Sequence, residues 1–144
     1  MTLPQEMTLI EITTPGGPEV LQPRRAEVPV AGPGEILIRV HAAGVNRPDA
    51  LQRAGKYPMK PGMNPLPGLE VAGEVAALGD GVTEYAVGDK VCALTNGGGY
   101  AQFCTVPASQ ALPIPEGMVW IQAAAVPETF FTVWANLFGL GDAH

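Results

Sequence analysis

The chain has 144 residues, 47% of them hydrophobic, which is enough for one core of ordinary size with little left over for a second. Fourteen acidic against eight basic side chains leave a net charge of -6, so a nucleic-acid backbone or an anionic membrane surface is repelled and neither is an expected partner. No apolar run reaches the roughly 18 residues of a bilayer span, and the opening MTLPQEMTLIEI lacks the basic flank and long apolar segment of a secretory signal, so a cytoplasmic protein is expected.

A first short strand is predicted over residues 7–12, ended by Pro15, Gly16 and Gly17, and a second extended run over 20–28. Pro29, Gly32, Pro33 and Gly34 then force a loop. Ile36, Ile38, Val40 and Ala42 alternate with Leu37, Arg39, His41 and Ala43, a strand with one strongly apolar face. His41 falls on the polar side with Arg39 and reads as a solvated strand histidine rather than a catalytic one. Residues 47–55 suit about two helical turns, with Pro48 acceptable in the first turn and Gly55 a stop. Pro58, Pro61, Pro65 and Pro67 make the following loop a stiff cover rather than a mobile linker.

That loop delivers the chain to GLEVAGEV at 68–75, in which apolar side chains and glycines surround a single carboxylate, Glu70. Two readings stay open at this point: a glutamate paired with a nearby arginine, or a carboxylate beside an active-site cleft. Gly79, Asp80 and Gly81 form a tight turn, as do Gly88 and Asp89 before a strand at 90–94. Strands this short at this spacing indicate a barrel or a sandwich. NGGGY at 96–100 has neither a following helix nor a lysine, so it reads as a hairpin loop before a strand at 101–106 and not as a phosphate cradle. Cys92 and Cys104, both in strand-like surroundings, are expected as buried free thiols.

From Val119 the pattern turns helical, with a short apolar helix over 121–126 and a second helix from Glu128 to about Phe138, stopped by Gly139. The first of these lacks a Ser, Thr, Asp or Asn cap. Phe130, Val133, Trp134 and Leu137 share one face of the second and read as core packing, with Thr129, Thr132 and Asn136 at its polar positions. Gly139, Gly141 and Asp142 do not begin a dinucleotide fingerprint, since the third glycine position is His144 and no strand precedes it.

In this order, ITTPGGPEVL, AAGVNRPDALQRAGKYP, PGLEVAGEV, GDKVCAL, GGGYAQF and AAAVPETFFTVWANL resemble the N-terminal half of a medium-chain dehydrogenase/reductase, and within that superfamily the zinc-independent NADPH:quinone oxidoreductases. The resemblance covers nearly the whole chain. It implies a mainly β fold with helices: a GroES-like, partly open β-barrel over residues 1–127, and at 128–144 a helical start of the connection to a Rossmann cofactor domain that this sequence lacks. The zinc-dependent branch has cysteine and histidine where this chain has Asn46 and Leu69, and its four-cysteine lobe has no counterpart. Catalytic zinc needs three protein ligands with donor atoms, so no metal is expected.

The resemblance further implies hydride transfer from NADPH to an acceptor that needs no Lewis acid, a quinone or a conjugated enone. It places Asn46 and Tyr57 in the cleft beside the nicotinamide and Thr132 against the nicotinamide amide. It aligns Glu70 with a retained glutamate that shapes the cleft, making Asn46, Tyr57 and Glu70 the candidate catalytic residues. A homodimer is implied for a full-length member. A stand-alone GroES-like binding module and an inactive fragment are the competing readings.

Overall fold

The computed structural model describes residues 2–140. The first two strands, β1 (Glu6–Ile12) and β2 (Leu21–Glu27), pair antiparallel from Glu6 opposite Glu27 to Ile12 opposite Leu21. A single 3-10 turn, Pro18–Val20, joins them. The remaining strands are β3 (Glu35–Ala43), β4 (Glu70–Leu78), β5 (Lys90–Leu94), β6 (Phe103–Pro107) and β7 (Ala111–Pro113), which form one antiparallel sheet in the order β6-β3-β4-β5-β7. The β1–β2 ribbon is hooked to this sheet through a bridge between Leu9 and Ala101. There Ile10 N donates to Tyr100 O (2.8 Å) and Gln102 N to Thr8 O (3.1 Å). The architecture is mostly sheet and does not close into a barrel, as expected of a partly open one.

Both faces of β3 are buried, where alternation in the sequence predicted one. Ile36 and Ile38 pack with Val71, Val75, Val91 and Val106, while Leu37 points the other way into a second cluster with Met7, Leu9 and Phe103. The ribbon is the reason, since β1 supplies two of those side chains and covers a face that would otherwise meet water. The register of β3 against β4 slips between Leu37 and Ile38 and again between Val40 and Ala42. Such irregularities re-aim side chains. Past the second, Ala43 joins Val40 on the first face, and Ala42 packs with Ala72, Cys92, Ala123 and Ala124.

Helix α1 (Arg47–Arg53) forms where its sequence predicts, with Gly55 at φ +70° just beyond it. Residues 96–100 are not a hairpin loop, because β5 and β6 lie on opposite sides of β3 and β4. The segment instead crosses the molecule against residues 66–68, with Gly98 N on Leu66 O (2.9 Å), Gly99 N on Gly68 O (3.0 Å) and Tyr100 N on Pro67 O (3.1 Å). Three consecutive glycines suit a strap that runs this close to another backbone. Helix α2 is a single turn, Trp120–Ala123, shorter than predicted, and its start borrows a cap from within: Gln122 Oε1 accepts from Val119 N at 3.3 Å.

Helix α3 (Pro127–Trp134) continues through a π-helical stretch, Ala135–Leu140, so Gly139 does not end it. The core role predicted for its apolar face is not realised. Phe130 is 63% exposed and Trp134 67%, because no described element of this chain lies over that side. Gly141, Asp142 and His144 lie outside the described residues. Cys92 and Cys104 are free and buried, as expected.

Candidate functional site

The site is built where three chain segments converge on the first residue of β4. Glu70 is 3% exposed, and each of its carboxylate oxygens accepts a neutral donor: Oε1 from Asn46 Nδ2 at 2.8 Å and Oε2 from Glu128 N at 2.9 Å. The arginine alternative is not realised, since among the described residues no ion pair includes Glu70. The Glu128 N–H belongs to the first turn of α3, whose unsatisfied amides and partial positive charge favour an anion there. Charge-assisted bonds of this kind are stronger than neutral ones. Gly44 lets the carboxylate reach this place: its N donates to Glu70 O at 3.1 Å, and a Cβ built on Gly44 would overlap the Glu70 side chain.

A second buried carboxylate, Asp49, escaped the sequence reading. It is 5% exposed; Oδ2 accepts from Asn46 N (2.8 Å) and Tyr100 Oη (3.0 Å), and Oδ1 from Gly68 N (3.0 Å). The spacing Asn46-x-x-Asp49 at a helix start is a capping signature that could have revealed it. Gly68, at φ +103°, is then held from its other side by Thr95, whose Oγ1 donates to Gly68 O at 2.7 Å. Tyr100 and Thr95 were likewise passed over, since nothing local marks a tyrosine or threonine as the partner of a residue fifty or thirty positions away.

These carboxylates are felt by their neighbours. Burial first, and then the charges of Glu70 and Asp49, raise the pKa of Glu128. Burial also raises that of Tyr100, reinforced by the charge of Asp49 and by the hydrogen bond the phenol donates to it, so the phenol stays a proton-bearing donor through the neutral range.

The other predicted residues are less closely joined. Thr132 is exposed on α3, one turn beyond Glu128; its Oγ1 donates to Glu128 O at 2.7 Å, and its own carbonyl accepts from Asn136 Nδ2 at 2.8 Å. Tyr57 is half-buried in the loop before β4 and shares no hydrogen bond with Asn46, Glu70 or Thr132. Leu69, beside Glu70, offers no donor atom to a metal. His41 stacks on Trp120 with ring centroids 4.5 Å apart and lies 3.8 Å from Glu74, which matches a strand histidine at the surface. Among the described residues no group of three or more His, Cys, Asp or Glu side chains is placed to hold a metal ion.

Residues 32–116 match the alcohol dehydrogenase GroES-like domain. Over 135 residues the chain is 39% identical to quinone oxidoreductase of Rattus norvegicus, which spans 92% of this chain and 41% of that protein. The crystal structure of human synaptic vesicle membrane protein VAT-1 homolog-like protein superposes with a TM-score of 0.86 at 35% identity, over 95% of this chain and 44% of that one. A mycobacterial protein solved in complex with NADPH superposes with a TM-score of 0.80 at 38% identity, over 91% and 39%. This chain thus spans less than half the length of each of these relatives. With the domain match covering most of the sheet and the whole Asn46–Glu70 corner, the chain belongs to the alcohol dehydrogenase GroES-like domain family, within the medium-chain dehydrogenase/reductase superfamily.

Proposed function

We propose that this chain supplies the substrate-side surface of an NADPH-dependent reductase of quinones or enones that transfers hydride without zinc. The observation that carries the proposal is the Asn46–Glu70 pair with Leu69 beside it. In the zinc-dependent branch the first and last of the sequence positions 46 and 69 belong to metal ligands. Here one holds an amide whose nitrogen is committed to Glu70, and the other an isobutyl group. Such a donor set does not fit zinc. An acceptor that needs no Lewis acid is the corollary, and a quinone or conjugated enone qualifies because its reduced form delocalises the arriving charge.

NADPH, when bound, supplies the hydride. Among the described residues no glycine-rich turn opens an α-helix that could hold the pyrophosphate, so the contribution proposed for them is confined to the nicotinamide end. Asn46, Tyr57 and Thr132 are the residues proposed to line that end, and Asn46, Tyr57 and Glu70 those facing the acceptor. The second N–H of the Asn46 amide and the Tyr57 hydroxyl provide donors for a carbonyl oxygen, and the Thr132 oxygen keeps lone pairs for an amide N–H while its proton goes to Glu128 O. Glu70 fixes the Asn46 side chain instead of moving a proton, and solvent protonates the reduced acceptor. The cofactor domain, a homodimeric assembly and a cytoplasmic location belong to the same proposal.

The test joins this chain to the part of the rat quinone oxidoreductase that lies beyond the matched region and follows NADPH oxidation with 1,4-benzoquinone. Turnover that survives chelation, in protein carrying substoichiometric zinc, is the expected result. Activity that tracks about one zinc per chain overturns it. In the same fusion, Tyr57→Phe and Thr132→Ala should slow turnover more than they lower the melting temperature.

A further inference from the structure

We propose that Asp49, locked by Tyr100, is the positioning residue that sets the Asn46–Glu70 pair. The inference rests on the reading that this pair faces the acceptor. Both oxygens of Asp49 are taken by donors of this chain, and they join three segments far apart in sequence: the corner between β3 and α1 at Asn46, the turn before β4 at Gly68, and the glycine strap at Tyr100. Two of these segments carry the partners of the pair. Asn46 is held through its own backbone N–H, and Gly68 lies two residues ahead of Glu70. One carboxylate therefore fixes the spacing between the amide and the glutamate from both sides.

The donors require two acceptor oxygens at this place. All three bonds that Asp49 receives come from donors, two of them main-chain N–H groups that cannot reverse. A carboxamide at position 49 offers one acceptor oxygen. Its NH2 faces either Gly68 N–H or Asn46 N–H, and only the Tyr100 hydroxyl can rotate to accept from it. Asp49→Asn thus releases one anchor or the other with almost no change in volume. Tyr100→Phe removes the third donor and leaves both anchors, so it should act in the same direction with a smaller effect.

Two readouts test this. The first, on the 144-residue chain, is the side-chain amide NMR signal of Asn46, assigned by its disappearance in Asn46→Ala. In the parent protein this NH2 should be shifted and slow to exchange, because it is held by Glu70. Asp49→Asn should move it and speed its exchange at least tenfold, and Tyr100→Phe should move it less. The second, in the fusion described above, is the split between kcat and KM. Loss of geometry at the pair should lower kcat roughly tenfold, with KM for the quinone within about twofold. An Asn46 signal unchanged in both variants overturns the proposal, and so does a change of KM alone in an active fusion. If Asp49→Asn does not fold, Tyr100→Phe decides on the same two readouts. An inactive parent fusion counts against the proposed reductase, while the Asn46 signal still decides the role of Asp49.

Discussion

Glu70 shows how a buried carboxylate is satisfied without a cation. One amide, one main-chain N–H and the start of a helix share the work, and each bond is aimed at a different oxygen lone pair. Glu70→Gln retains the shape but turns one acceptor into a donor opposite either Asn46 Nδ2 or Glu128 N. Asn46 can flip its amide to compensate, and the Glu128 main chain cannot. With its oxygen kept on Glu128 N and the Asn46 amide flipped, Glu70→Gln leaves no donor unpaired and should lose less than about 1 kcal/mol in urea unfolding, whereas Asn46→Ala, which strips a buried carboxylate oxygen of its donor, should lose about 1–3 kcal/mol. The thiols behave differently. Burial pushes Cys104 from 9.0 up to about 12 and also raises Cys92. A raised pKa means that the folded state holds its proton where the unfolded chain has lost it. The stabilising contribution of Cys104 is thus whole below pH 9.0 and disappears as pH rises towards about 12. Melting temperature should fall through that interval, and iodoacetamide at pH 8 should leave Cys104 unmodified until denaturant is added.

Among the elements, α3 departs most from its sequence pattern. Phe130, Val133, Trp134 and Leu137 do share a face, as helical spacing requires, but each is at least half exposed. With Leu112 of β7 and Phe138, the first three of these border a groove of about 600 Å³. Because these side chains contribute little burial, replacing Phe130 and Trp134 by serine should leave the melting temperature nearly unchanged, within the roughly 0.5 kcal/mol typical of surface positions. The same double variant should bind less of the apolar dye ANS and self-associate less in analytical ultracentrifugation. A large drop in melting temperature would mean that this face is packed in solution. The strap at 96–100 teaches the converse lesson, because a glycine run that resembles a turn is here a close backbone crossing set by strand order, which the local sequence does not carry.

At the scale of the whole molecule, cofactor affinity is the sharpest expectation. The three side-chain contacts proposed at one end of the dinucleotide would have to offset the loss of translational and rotational freedom on association, which is on the order of several kcal/mol. Calorimetric titration of the 144-residue chain with NADPH should therefore show no micromolar binding, whereas the fusion with a cofactor domain should bind it. Micromolar affinity for the chain alone would place the pyrophosphate site within these residues.

The sequence by itself determined the succession of strands and helices along the chain, the burial of both cysteines, the helix after Asn46 and the placement of Glu70 in apolar company, because each rests on period, punctuation or composition within a dozen residues. It also carried the family, through motifs whose order is as informative as their content. Tertiary structure decided what local pattern cannot encode. The β1–β2 ribbon made the second face of β3 a core, the register slip past Val40 turned Ala43 inward, and the strap brought Tyr100 to Asp49. Periodicity states which side chains share a face, whereas only the packing of distant segments settles what covers that face and which buried carboxylate finds its donors.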